Sequence, residues 1–169
     1  DVKISDRFSS YIMDWDYEKY LVIGGYGSGK SQATAQKIVL KLLQEKRTCL
    51  VVRNVFTTIK DSCFEILKQI VSDMDLLSFK DKIVFVKSPM EVRFPNGSRI
   101  IFRGMDNTEK IKSIHGVSIV WMEECSELNY KAYTEILGRV RQPNMTLHFI
   151  LTCNPVGREN WVYDLFFTH

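Results

Sequence analysis

The residues best suited to chemistry form an eight-residue glycine loop between a short apolar segment and a helical segment. The loop fits the pattern G-x-x-x-x-G-K-S/T at every required position. Its members are Gly24, Gly25, Tyr26, Gly27, Ser28, Gly29, Lys30 and Ser31. Glycines let the backbone curl with its N–H groups inward, and the following helix adds the positive end of its dipole. We therefore predict binding of a nucleoside triphosphate, with Lys30 on the β- and γ-phosphates and the Ser31 hydroxyl on Mg²⁺.

Two adjacent acids at the end of a later apolar segment supply the second half of a hydrolytic site. Residues 117–122 read as a buried strand that runs directly into Glu123 and Glu124. Glu123 falls at the metal position, and Glu124 falls at the position of the base that polarises an attacking water. Aspartate is usual at the first position, so Glu123 departs from the general pattern. A merely solvated strand end is the alternative, and the apolar strand before the pair disfavours it.

Polar side chains also follow the next predicted strand, at 147–151. Thr152 and Asn154 are predicted to lie beside the γ-phosphate, where they would sense its presence and pass that state to moving parts. A plain Asn-Pro turn after a strand accounts for the same residues, and spacing alone does not exclude it.

Phosphoryl transfer usually needs one further cation for the developing charge. The candidates are Arg53, Arg103, Lys112, Arg139 and Arg141. The sequence does not choose among them, nor does it say whether the cation acts on its own subunit or on a neighbour. Each of them is also compatible with a solvated surface charge.

The elements that must position these residues alternate between apolar strands and amphipathic helices. Strands are predicted at 20–24, 48–52, 83–86, 91–94, 99–102, 117–122 and 147–151, and helices at 30–46, 58–74 and 129–139. Asn96-Gly97 predicts a hairpin turn inside this pattern. In the first long helix we place Lys37 on the polar side. The fold class is therefore α/β, with a mainly parallel central sheet flanked by helices and a β-hairpin insertion.

The order of loop and acids further predicts a P-loop NTPase of the additional-strand, catalytic-glutamate type. That type carries an extra strand between the loop strand and the acid strand, and Thr48 to Arg53 supplies a helix-flanked strand in that interval.

Composition limits the architecture to one domain spanning 1–169. The chain has 169 residues, of which 45% are hydrophobic, and its net charge of +3 is too mild to argue for nucleic acid by itself. We divide it into a lead-in at 1–19, a P-loop core at 20–155 and the start of a linker at 156–169. Within the lead-in and first strand, Tyr17 or Tyr20 either stacks on a base or simply packs in the core. The first residue is not Met, and we expect one domain of a longer chain.

Other features disfavour metal-thiolate and membrane classes. The four cysteines show no C-x-x-C spacing and the three histidines are scattered, which disfavours a zinc site and indicates reduced thiols. The absence of an apolar run of about 18 residues and of a signal-peptide pattern predicts a soluble intracellular protein with no membrane partner.

Several stretches, taken in order, resemble the ATPase domain of the large terminase subunit of tailed bacteriophages. The loop at 24–31 resembles the phosphate loop of that family, and residues 52–62 resemble its second-strand segment. Residues 102–104, 110–114 and 120–124 are similar to its middle and acid motifs, and 152–155 is similar to its coupling motif. The resemblance covers 20–155. A Glu-Glu pair is common in the branch with this hairpin, which agrees with a metal role for Glu123.

This resemblance implies ATP and Mg²⁺ as cofactors, Glu124 as the base, and coupling through 152–154. It also implies a homo-oligomeric ring docked on the viral portal protein, with double-stranded DNA in its channel and the small terminase subunit as a further partner. The isolated domain can still be monomeric. The expected location is the cytoplasm of the infected bacterial host, transiently at the procapsid portal. Family members usually carry a C-terminal nuclease domain, and we expect no DNA cleavage from this chain, because no suitable acid cluster occurs in it.

Three functions stay under consideration from the residues alone. The first is an ATP-hydrolysing DNA-translocation motor. The second is another P-loop ATPase, such as a helicase, or a nucleotide kinase, which the absence of a lid-like arginine cluster disfavours. The third is an assembly module that binds ATP with little turnover, and such a module does not need Glu124.

Overall fold

A computed structural model of the chain describes residues 8–25, 27–74, 82–106, 111, 114–140 and 142–167. Its strands are β1 (Lys19–Ile23), β2 (Thr48–Arg53), β3 (Val84–Lys87), β4 (Met90–Arg93), β5 (Arg99–Gly104), β6 (Val117–Glu123) and β7 (His148–Cys153). Its α-helices are α1 (Ser9–Met13), α2 (Lys30–Gln44), α3 (Glu65–Asp73), α4 (Tyr130–Arg139) and α5 (Trp161–Phe167). None of these described helices has the length and apolarity that crossing a bilayer requires.

The seven strands form one sheet in the order β1-β7-β6-β2-β5-β4-β3. The five strands from β1 to β5 in that order pair in parallel, and β4 and β3 extend the edge in antiparallel fashion. The predicted mainly parallel sheet with a hairpin is therefore confirmed. The turn between β4 and β5 is closed by a hydrogen bond from the Phe94 amide to the Ser98 carbonyl at 2.9 Å, and Gly97 takes a φ of +91° there.

One spatial assignment from the sequence is wrong. The strand between the loop strand β1 and the acid strand β6 is β7, whereas β2, the segment from Thr48 to Arg53, lies on the far side of β6. Every residue of β7 is buried, and a strand with two apolar faces is stable at the centre of a sheet that helices cover on both sides. Order along the chain does not fix order across the sheet, because crossover helices can carry the chain past a neighbouring strand.

Helices cover both faces of the sheet. On one face α2 and α3 pack with Val51, Phe102 and Trp121 of the strands. On the other face α4 and α5 pack with Met122 and Leu151. The α5 helix is attached firmly there, because the Trp161 indole N–H donates to the Leu128 carbonyl at 2.6 Å and Val162 is fully buried.

The predicted helix at 58–74 is not a single regular helix. It begins with a 3₁₀ turn (Phe56–Thr58), continues as a π-helical turn (Lys60–Phe64) and becomes α-helical only in α3. The Phe64 amide donates to the Ile59 carbonyl at 3.2 Å, which is the i to i+5 bond of a π-helix. This widening turns the side chains after Ile59 relative to a regular helix, and an apolar stripe in the sequence does not reveal it.

The prediction that Lys37 lies on the polar face of α2 is wrong. It is fully buried, and its ammonium lies 4.2 Å and 4.4 Å from the ring centroids of Trp15 and Tyr20. It also donates to the carbonyls of Tyr11, at 2.8 Å, and Asp14. Burial lowers the pKa of Lys37 to about 8, which leaves the ammonium mostly protonated at neutral pH. Lys37 therefore attaches the lead-in segment to α2.

Candidate functional site

The glycine loop is built as a tight strand-to-helix turn at the carboxyl end of β1. Gly27 and Gly29 have φ values of +78° and +87°, which non-glycine residues rarely adopt. A Cβ added at Gly24 would lie 2.5 Å from the Ser28 Oγ, so a larger residue there would require the Ser28 side chain to move. Gly29 directly precedes α2, whose first-turn amides have no partner within the helix and are available to an anion. Tyr26 lies outside the described residues.

Lys30 connects this loop to the end of β7. Its side chain is almost completely buried, with 7% of its surface exposed. The ammonium donates a hydrogen bond to the Asn154 Oδ1 at 3.0 Å. The Gly24 amide makes a second link by donating to the Cys153 carbonyl at 3.2 Å. The structure thus brings Lys30 and Asn154 together, although they are 124 residues apart in the chain.

The two acids sit at the end of β6 in different backbone conformations. Glu123 is the last residue of β6 and is 5% exposed. Its Oε2 accepts a hydrogen bond from the Cys63 thiol at 2.8 Å and lies 3.6 Å from the Arg53 Nη1. Glu124 takes φ 50° and ψ 50°, a left-handed conformation that costs a non-glycine residue roughly 1–2 kcal/mol. Such strain at one residue is typical of a functional position.

The electrostatics of Glu124 differ from those of an exposed carboxylate. Burial raises the pKa of Glu124, and the neighbouring Glu123 raises it further. The charges of Lys30 and Arg53 act in the opposite direction and lower this pKa. A carboxylate made more basic in this way is a better proton acceptor than a solvated one.

These side chains border one cleft of ≈ 370 Å³. Its lining residues are Gly27, Ser28, Gly29, Lys30, Ser31, Gln32, Arg53, Asp61, Ser62, Ile66, Glu123, Glu124 and Asn154. The volume falls in the range of small-molecule sites. The Ser31 hydroxyl and the Glu123 carboxylate are hard oxygen donors of the kind that Mg²⁺ prefers, so the donor set fits that ion.

The candidate cations that the structure describes lie in different places relative to the cleft. Arg53 lines the cleft. Arg103 does not line the cleft, and its guanidinium donates to the Phe102 carbonyl at 2.8 Å. Arg139 lines a different, small hollow beside Val117, at the amino end of β6 and far from the acids. The other two candidates, Lys112 and Arg141, lie outside the described residues.

Thr152 is separated from the cleft that Asn154 lines. Its side chain is fully buried, and its hydroxyl accepts a hydrogen bond from the Trp121 indole N–H at 2.9 Å. It therefore joins β7 to β6 within the core.

Sequence reasoning missed the π-helical turn as part of the site. Asp61 and Ser62 line the cleft, and Cys63 contacts Glu123. The available signal was the polar pair Asp61-Ser62, eight positions after the strand-end Arg53. Burial raises the pKa of the Cys63 thiol well above its ordinary value, and the nearby Glu123 charge adds to the effect, so this side chain is a protonated donor.

Comparison with known proteins identifies relatives over the whole described core. A family model described as "Phage terminase large subunit" matches residues 17–169. The chain is 47% identical over 165 residues to the PBSX phage terminase large subunit of Bacillus subtilis (strain 168), which covers 98% of this chain and 37% of that relative. The chain spans about two fifths of the length of the curated relatives it matches.

Solved structures show the same fold at low sequence identity. The large terminase of the thermophilic bacteriophage D6E in complex with ATP-gamma-S superposes with a TM-score of 0.76 at 12% identity, covering 98% of this chain and 41% of that one. The bacteriophage Phi-29 viral genome packaging motor assembly superposes with a TM-score of 0.66 at 17% identity, covering 99% of this chain and 51% of that one. The chain therefore has the P-loop NTPase fold predicted from its sequence.

Proposed function

Because the chain belongs to the phage terminase large subunit family, we propose that it hydrolyses ATP to drive viral double-stranded DNA into a procapsid. The observation that carries this proposal is the meeting of three distant segments in one cleft. Lys30 from the loop, Glu124 from the end of β6 and Asn154 from the end of β7 all line it. A passive nucleotide cradle needs the first of these, whereas hydrolysis also needs a base.

The roles of the side chains follow from their placement. The loop amides and the Lys30 ammonium bind the phosphates and neutralise their charge. Ser31 and Glu123 would hold Mg²⁺, which when bound adds positive charge against the β- and γ-phosphate oxygens. Glu124 orients a water for in-line attack and accepts its proton, a role that its raised pKa supports.

Asn154 supplies a route from the phosphates to the sheet. Its Oδ1 accepts a hydrogen bond from Lys30, so a γ-phosphate would compete with it for the same ammonium. Lysine has three N–H donors and can serve both partners only in a restricted geometry. We infer that hydrolysis and phosphate release alter this bond and thereby the position of the β7 end.

A further positive charge is needed to stabilise the transition state. Among the described residues that line the cleft, Arg53 is the one cation besides Lys30 that this chain itself could supply. Its ion pair with Glu123 at 3.6 Å already engages it, which favours a further cation from a neighbouring subunit. This agrees with the assembly that we propose: a homo-oligomeric ring at the portal protein, with the small terminase subunit as a partner and viral DNA in the channel. Its place of action would be the host cytoplasm and the procapsid portal.

Two substitutions test the proposed chemistry. Lys30→Ala is expected to lose most ATP affinity in a calorimetric titration, because it removes the buried ammonium. Glu124→Gln is expected to bind ATP with near wild-type affinity and to hydrolyse it at least about a hundredfold more slowly, the usual effect of losing a general base. DNA packaging by the complete terminase should fail with either variant. Normal ATP turnover by Glu124→Gln would refute the base, and unchanged ATP binding by Lys30→Ala would refute the site.

A further inference from the structure

One side chain of the π-helical turn Lys60–Phe64, that of Cys63, contacts the proposed metal ligand Glu123. The Cys63 Sγ donates to the Glu123 Oε2 at 2.8 Å. Cys63 is fully buried and Glu123 is 5% exposed, so water competes little for this bond. The Arg53 Nη1 lies 3.6 Å from the same oxygen. Two contacts on one carboxylate oxygen restrict the rotation of the carboxylate.

The backbone geometry explains why a thiol stands at this place. The bond from the Phe64 amide to the Ile59 carbonyl spans five residues, so the helix contains one extra residue at this turn. Ser62 can then line the cleft while the next side chain, Cys63, faces the end of β6. Neighbouring residues of the turn thus contact the cleft and the acid that borders it. Turns of this kind occur frequently at functional sites.

We propose that Cys63 is a positioning residue, whose thiol hydrogen bond holds the Glu123 carboxylate in the orientation that metal-dependent nucleotide binding requires. The inference rests on the proposed function, since it assumes a divalent cation between nucleotide and Glu123. Hydrogen-bond partners of metal ligands fix the orientation of the ligand, and their loss typically weakens metal affinity by about 10- to 100-fold. A thiol is a weak donor, so the lower end of that range applies.

The chain offers a matched control for this bond. Cys49 is fully buried, as Cys63 is, and belongs to the same apolar cluster. It lies in β2 at a distance of four residues from Arg53 along the strand. Cys49→Ala and Cys63→Ala therefore remove the same buried sulfur, but only the second change removes a contact with Glu123.

The experiment measures ATP-gamma-S affinity by calorimetry in excess Mg²⁺ and in EDTA, for the chain and its variants. We expect Cys63→Ala to raise the Kd in Mg²⁺ by about tenfold and to leave the Kd in EDTA unchanged. Cys63→Ser keeps a donor and should stay within about threefold of the wild type in Mg²⁺. Cys49→Ala should match the wild type in both conditions. In a Glu123→Gln background, Cys63→Ala should have no further effect.

Thermal unfolding of each variant checks that the compared proteins are folded. If Cys63→Ala does not fold, the test uses Cys63→Ser only. In that case an affinity loss beyond threefold in Cys63→Ser would overturn the inference. It is also overturned if Cys63→Ala behaves as Cys49→Ala does, or weakens binding equally in EDTA. A wild type that does not bind ATP-gamma-S would refute the nucleotide site itself. A wild type that binds equally with and without Mg²⁺ would refute the metal role of Glu123 and the inference with it.

Discussion

Removing the hydroxyl of Thr152 tests whether this side chain has a structural role in the core or a role at the γ-phosphate. The hydroxyl accepts the Trp121 indole N–H at 2.9 Å, and both side chains are fully buried. Thr152→Val keeps the branched shape and approximate volume but removes the acceptor, so the indole N–H loses this partner inside the core. Leaving a buried donor unsatisfied costs about 1–3 kcal/mol.

That cost converts into observable shifts in unfolding. For a domain of this size, a loss of about 2 kcal/mol lowers the Tm by about 4–8 °C. It also lowers the midpoint of urea unfolding by about 1 M, with an unchanged slope. Because Thr152 is separated from the cleft, we expect ATP affinity to remain at the wild-type value. Thr134→Val, at an exposed threonine of α4, is the control for the loss of a hydroxyl.

A double-mutant cycle with Trp121→Phe isolates the bond. If the hydrogen bond carries the effect, the two substitutions are less than additive by about the cost of the single Thr152→Val change. Two results would refute this reasoning. One is a Thr152→Val protein that is as stable as the wild type. The other is a Thr152→Val protein whose ATP affinity or turnover falls, which would place the hydroxyl at the γ-phosphate.

Two further predictions concern the elements that support the site. Burial lowers the pKa of His148 below its ordinary value of 6.5, so the unfolded chain binds a proton that the folded chain resists. The contribution of His148 to stability is therefore fully present above about pH 6.5 and is lost as the pH drops toward the folded pKa. The Tm should fall less between pH 7.5 and pH 5.5 in His148→Gln than in the wild type. Equal dependence of the Tm on pH in the two proteins would contradict this. Asn129→Ala removes the acceptor of the Ala132 amide at 2.7 Å that begins α4. It should cost about 1 kcal/mol and leave ATP binding intact, whereas an unchanged urea midpoint would show that the cap contributes nothing.

Local features of this fold could be predicted well from the sequence. The glycine loop, the apolar strands and the Asn96-Gly97 turn are each specified by neighbouring residues, since φ preferences and apolar runs act over a few positions. The helix start near Asn129 is of the same kind, because an asparagine side chain can cap the amides that follow it. Local rules place such elements without knowledge of the rest of the chain.

The features that sequence reasoning missed depend on contacts between distant segments. Lys37 has an ordinary helical position in the sequence, and it is buried only because Trp15 and Tyr20 fold over it. Cys63 reaches Glu123 across 60 positions, through a helical irregularity that leaves no pattern in residue types. Likewise, Arg53 and Arg139 are equivalent as isolated cations, and only the fold places Arg53 in the cleft and Arg139 in the hollow beside Val117.

The position of β7 between β1 and β6 determines how the parts of the site can communicate. With β1 on one side and β6 on the other, the end of β7 lies next to both the glycine loop and the two acids. Asn154 extends from that end to Lys30, while Thr152, two residues earlier, is held to Trp121 of β6. A shift of Asn154 on phosphate release would therefore act on β7 close to Thr152, where the hydrogen bond to Trp121 fixes the strand. Movement should concentrate at the end of β7 and in the residues after Cys153, toward α5, and leave the rest of the sheet unchanged.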